Sequence, residues 1–166
     1  MFVEGFFQIP VVVRTVANPK LVRLLVDGDQ RKVIGFCRKI ALMSLSVFVV
    51  ICGGVLLIIP FMEPFFPNEL VTRCYPLLLV LSSGLFIFSL TIPFDQILLQ
   101  AGHPGRQSLL MMINLMVNVA LNLLLIPIFG LFGAAVATAI AFVCSTISVN
   151  LAAYKWLGYR RGVLLY

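Results

Sequence analysis

Charge is what this chain has least of. Lysine, arginine, aspartate and glutamate make up 11% of its 166 residues, against roughly 25% in an ordinary soluble domain. Acids are scarcer than bases, six against twelve, and there is one histidine, His103. Cysteine is sparse and scattered, at Cys37, Cys52, Cys74 and Cys144, with no C-x-x-C and no neighbouring histidine. That spacing supports neither a zinc site nor a disulfide framework. It reads as small apolar side chains in apolar surroundings. No nucleophile lies beside a base, and no glycine-rich loop is placed to cradle a phosphate. The expectation is no enzyme, no catalytic residue, no metal and no cofactor. His103 lies in Gly-His-Pro-Gly, a turn between helices, where a lone imidazole is solvated.

What is present in excess is hydrocarbon. Hydrophobic residues reach 61% and mean hydropathy is +1.11. These values describe an integral membrane protein. Four stretches are long enough to span: about 40–62, 74–94, 108–127 and 131–153. Between Arg106 and Lys155 nothing is charged. That run is too long for one crossing and breaks at Ile126–Gly130, "IPIFG", where proline and glycine supply turn chemistry. About 20 residues at 1.5 Å each match the roughly 30 Å hydrocarbon core.

The few charges are strongly patterned. Segments 18–39, 102–106 and 154–166 hold ten Lys/Arg, and the alternate segment 63–73 holds one. Positive charge collects on the cytoplasmic side, so the C-terminus is expected in the cytoplasm and the chain in the cytoplasmic membrane. The net charge of +6 then answers to membrane lipids with anionic headgroups rather than to nucleic acid.

Residues 1–17 are apolar but short and are interrupted by Glu4 and Arg14. They lack the basic start and small-residue cleavage site of a signal peptide. Two readings stand: the tail of a spanning helix whose beginning is missing, or an interfacial helix. A short amphipathic helix is expected next, capped by Asn18, with Pro19 in its first turn and Gly28 ending it.

Polar residues inside the apolar runs are the candidate functional groups. Asn114, Asn118 and Asn122 recur every four residues and form a stripe on one side of the third span. Unpaired amides in hydrocarbon cost several kcal/mol each, so the stripe must face protein or water. It either lines a hydrated pathway or bonds a neighbouring helix. Gly133, Ala137, Ala141 and Ser145 form a small-residue ridge on the fourth span, where another backbone can approach closely. The ridge is expected to pack on the asparagine stripe or on a further helix. Asp95 is the one acid near a span and a candidate for proton coupling. Pro93 just before it should bend the helix. Arg14 either snorkels to the interface or points inward, where it could attract a phosphate.

Two stretches resemble a known family. "NPKLVRLLVDGDQRK", residues 18–32, resembles a cytoplasmic segment of polysaccharide flippases. "ILLQAGHPGRQSLLMMINLMVNVALNLLLIPIFGLFGAAVATAIAF", residues 97–142, resembles their C-terminal portion, with its N-L-L-L-I-P and G-x-x-G-A-A-x-A-T patterns at 122–127 and 130–138. These flippases belong to the MATE-like multidrug/oligosaccharidyl-lipid/polysaccharide exporter superfamily. The resemblance implies an all-α, polytopic membrane helix bundle: about four transmembrane helices plus a truncated N-terminal helix, corresponding to the C-terminal bundle. It also implies a lipid-linked glycan as cargo, moved by alternating access. The first bundle would be the missing partner, or a self-associated copy would replace it. Cavities of this family use basic residues for lipid pyrophosphate, which makes Arg14 the candidate for that contact, with Asn114, Asn118 and Asn122 as further cargo-binding candidates. Drug or peptidoglycan-precursor export within the same superfamily, and a small non-transport assembly protein, are the alternatives.

Overall fold

In a computed structural model, described over residues 2–61 and 70–157, the chain is all helical. The helices are α1 (Phe2–Val26), α2 (Gln30–Ile58), α3 (Leu70–Ser89), α4 (Ile97–Gln100) and α5 (Pro104–Leu157), with a 3₁₀ turn at Ile92–Phe94 between α3 and α4. Most of the 63–73 segment and all of the basic residues after Lys155 lie outside the described residues.

The expected start of a helix at Asn18 is corrected. α1 runs unbroken through Asn18 and Pro19. Asn18 does not cap anything. Its side-chain carbonyl accepts a hydrogen bond from Gln100 Nε2 at 2.6 Å. A tertiary partner thus replaces the local role that residue type alone suggests. Gly28 does end the helix, at a φ of 72° that favours glycine.

α2 begins ten residues earlier than the apolar run, because Asp29 caps it. The carboxylate accepts from the Arg31 and Lys32 amides at 3.1 and 3.3 Å, and from Lys32 Nζ at 3.2 Å. The Lys32 amide bond, then its side chain, hold the Asp29 carboxyl below its usual value. A depressed folded-state pKa stabilises at pH above the ordinary carboxylate range and is lost as pH falls through the lowered value. Asp29→Ala should therefore weaken the fold at neutral pH, and by less as pH falls through the lowered value. Unfolding in detergent across an acid pH series checks this.

α3 stops at Ser89, four residues before Pro93. Proline has no N–H for the carbonyl of Ser89, and its ring clashes with that turn. α3 and the following Ile92–Gln100 segment meet at a bend of 44°. The carbonyl left without a helical donor is served from α2: Ser44 Oγ donates to Ser89 O at 3.2 Å, with Ser44 fully buried. Ser44→Ala should cost about 1–3 kcal/mol, the penalty of a buried unsatisfied carbonyl. Ser46→Ala should cost much less, since Ser46 bonds only its own helix, at Leu42 O, and is exposed. Equal losses in detergent unfolding would contradict this role.

α5 is two arms, 104–129 and 131–157. At Gly130 the backbone leaves the helix (φ 58°, ψ −133°). The chain reverses there. Asn114 Nδ2 donates to Ser145 Oγ at 3.1 Å, a pair that one continuous helix would hold about 46 Å apart. Gly130 lies almost midway between the two.

By length and composition, two helices can cross a membrane, Gln30–Phe61 and Pro104–Trp156, and a third if the bent pair Cys74–Ser89 and Ile92–Gln100 counts as one span. Among the described residues this gives two or three, with 104–157 taken as one helix across Gly130, and the expected count of about four is not confirmed by it. The surfaces are those of long apolar helices in a multi-pass membrane protein: Val50, Leu57, Leu123 and Leu151 stand largely exposed.

Two buried clusters hold the bundle. One joins Leu21 of α1, Val33 and Cys37 of α2, Phe94, Leu98, and Leu110 and Ala153 from opposite ends of α5. Basic residues ring this end, with Lys20 Nζ 5.3 Å from the centre of the Phe36 ring and Arg106 5.8 Å from that of Trp156. The other joins Phe48, Cys52, Leu85, Phe88 and Ile92.

Candidate functional site at a broken helix

Pro93 does more than bend α3. It opens a stretch of backbone in the interior and brings polar side chains from three other helices to it. Arg14 of α1 reaches Asp95, its Nη1 lying 3.0 and 2.9 Å from the two carboxylate oxygens. Each side chain is only 20% exposed, so water does little of the neutralising. Asn18, one turn further along α1, receives the Gln100 amide. Gln107 of α5 donates to the Asp95 backbone carbonyl at 3.0 Å. Above them Thr91 and Thr146 share a hydrogen bond of 3.2 Å, both buried.

This junction is under-satisfied. Gln100 Oε1 and Gln107 Oε1 are buried acceptors without a partner. Buried carbonyl oxygens of this kind demand a donor. Each of these oxygens has lone pairs open to an O–H or N–H donor.

No protein-family model, no characterised protein and no solved structure matches the chain.

The candidates singled out in the sequence fall into three places. Arg14 and Asp95, read separately as a phosphate ligand and a coupling acid, are partners of each other. The asparagine stripe divides. Asn114 turns into the α5 hairpin and bonds Ser145, its own Oδ1 remaining buried and unpartnered. Asn118 and Asn122 bond each other, Asn122 Nδ2 donating to Asn118 Oδ1 at 2.8 Å and to its backbone carbonyl at 2.9 Å. Both border an open groove of about 290 Å³. The small-residue ridge lies against the first arm: a Cβ at Gly133 would strike the Leu125 carbonyl, and Ser145 meets Asn114. Ala137 and Ala141 are buried between them in sequence.

Sequence reasoning passed over Asn18 as a cap, and Gln100, Gln107 and Gly84 altogether. The glutamines had a signal, being uncharged polar residues flanking an Ala-Gly-His-Pro-Gly turn. Gly84 had one too. Ser82, Ser83 and Gly84 form a small-residue cluster in an apolar run. A Cβ on Gly84 would lie 2.5 Å from Ala139 Cα, so α3 and the second arm of α5 touch backbone to backbone here.

Proposed function

We propose that the chain is part of an integral membrane transporter that moves lipid-linked oligosaccharide or polysaccharide repeat units across the cytoplasmic membrane by alternating access. The observation that carries this reading is the junction at Pro93. A discontinuous helix, a largely buried Arg14–Asp95 pair and two amide oxygens without a donor sit inside an otherwise apolar bundle. Discontinuous helices with intramembrane ionisable residues are the common construction of transporter sites. Unsatisfied acceptors suit a cargo rich in hydroxyl donors. The sequence likeness at residues 18–32 and 97–142 to polysaccharide flippases supports the same cargo class.

In this reading each arm of α5 crosses the membrane once, with α2 and the bent α3–α4 pair as two more crossings. Four spans with the basic end in the cytoplasm follow, and the C-terminus lies there too. Arg14 and Asp95 hold α1 against the break and must part for that end to open.

Export of drug cations is the competing activity. Among acids whose side chains are described, Asp95 is the one inside the bundle, and Arg14 occupies both its oxygens. A cation finds no free carboxylate there. The experiment is reconstitution into vesicles with a labelled polyprenyl-pyrophosphate oligosaccharide in the inner leaflet. Exposure of the sugar to an external glycosidase should rise above that of protein-free vesicles, while a fluorescent drug cation stays inside. Sugar exposure equal to the protein-free level, or movement of the cation instead, would overturn the proposal.

A further inference from the structure

At the basic end of the bundle, unpaired cations gather where α1 and α2 meet. The two helices are joined by the short turn 27–29. Lys20 lies six residues before the end of α1 and Phe36 six after the start of α2, so they stand at one depth. Lys20 Nζ lies 5.3 Å from the centre of the Phe36 ring. Lys32, Phe36 and Lys39 recur at i, i+4 and i+7 and share one face of α2. Arg23 is one turn from Lys20 on α1, and all four bases are exposed. Two acids are near. Asp29 is taken up by the α2 cap and Lys32, and Asp27 lies in the turn. Among the described residues no carboxylate pairs with Lys20, Arg23 or Lys39.

The same two faces turn apolar away from that end. Val16, one turn from Lys20, is 77% exposed, and Met43 and Val50, in line with Lys39, are 51% and 73% exposed. Lys39 to Val50 is about 16 Å of helix, close to half of the roughly 30 Å hydrocarbon core. The strip thus has a cationic head and a hydrocarbon body one leaflet long. A soluble phosphate or a nucleic acid matches the head alone, and an apolar helix matches the body alone. An anionic lipid matches both.

We propose that this strip binds one anionic phospholipid, its headgroup at Lys20 and Lys39 and its chains along Val16, Met43 and Val50. The inference rests on the membrane setting and not on the cargo. Binding is read without transport, so either proposal can fail alone.

The test is titration of purified protein in detergent micelles with phosphatidylglycerol, bound lipid being counted by native mass spectrometry. One tightly retained lipid per chain is expected, with phosphatidylcholine retained far less. Lys20→Gln/Lys39→Gln should weaken retention about thirtyfold, two bases at about 1 kcal/mol each. Lys39→Gln alone should weaken it about fivefold, which carries the test if the double variant is unstable. Arg31→Gln/Arg38→Gln removes the same charge from exposed positions about 100° away round α2, and should leave retention within about twofold. Millimolar glycerol phosphate, a headgroup without chains, should not displace the lipid. Equal retention of phosphatidylcholine, equal loss in the Arg31/Arg38 variant, or displacement by glycerol phosphate would each overturn the proposal. So would two chains with no lipid, or a polyprenyl pyrophosphate held more tightly than phosphatidylglycerol, which would make the strip a cargo contact.

Discussion

Arg14→Leu should destabilise the bundle by about 3 kcal/mol, the cost of leaving a largely buried carboxylate without its counter-ion. The double replacement Arg14→Leu/Asp95→Leu should recover most of that loss. Burying two charges is expensive, and an apolar pair of similar volume avoids the expense altogether. The non-additivity is the informative quantity. Each single variant strands one charge at a place only 20% exposed, whereas the double strands none. Unfolding in mixed micelles by a denaturing detergent gives all four values of the cycle. A single variant as stable as the parent would mean that the pair is solvated. A double variant as weak as the singles would mean that Asp95 matters for its backbone position and not its charge. In flipping vesicles the same double variant separates stability from function. If the pair is the closure between α1 and the break, its removal should leave a folded protein with altered transport.

Gly84→Leu should be as damaging, for a steric reason. The first side-chain atom already falls 2.5 Å from Ala139 Cα and 2.8 Å from its Cβ and carbonyl oxygen. These are atoms of a helix that cannot swing aside. α3 would have to move off the second α5 arm, taking with it the stacked Phe88 and Phe142 rings, 5.1 Å apart, and the Thr91–Thr146 bond. Overpacking of this sort costs about 1–3 kcal/mol. Gly84→Ala should show a smaller loss of the same sign. Gly53→Ala, where no atom lies within 4 Å of the added Cβ, should be neutral or stabilising by up to about 1 kcal/mol, since alanine is the better helix former. A Gly84 variant that behaves like Gly53→Ala in the unfolding assay would contradict the close approach.

Much of the architecture can be read from local pattern. Long apolar runs mark α2, α3 and α5, Gly28 ends α1, Pro93 breaks the second run and Gly130 turns the last. Each of these acts within a few residues of itself, through missing donors, fixed φ angles or hydropathy. What escapes local reading is decided across the chain. Asn18-Pro19 has the look of a helix start, yet α1 continues, with Asn18 held by Gln100 more than eighty residues away. Arg14 and Asp95 each stand out by charge, but nothing near either one announces the other. Ser44 is one of several serines in an apolar run, and only the carbonyl orphaned by Pro93 gives it a task. The asparagine stripe shows the limit most clearly. Its period places three amides on one side of a helix, and it cannot say that the first turns inward to Ser145 while the other two look out.

The central claim is that 104–157 folds back on itself, since the four-span transporter reading depends on it. The most direct measurement is disulfide formation in native membranes by Asn114→Cys/Ser145→Cys, with Cys144→Ser to remove the native neighbour. The fold predicts rapid intramolecular cross-linking, because these side chains meet at 3.1 Å. The product should be a monomer, detected by a reducible shift in gel mobility. An unbroken helix would hold the same positions about 46 Å apart. Absence of the intramolecular bond under oxidising conditions would contradict the hairpin and the account built on it.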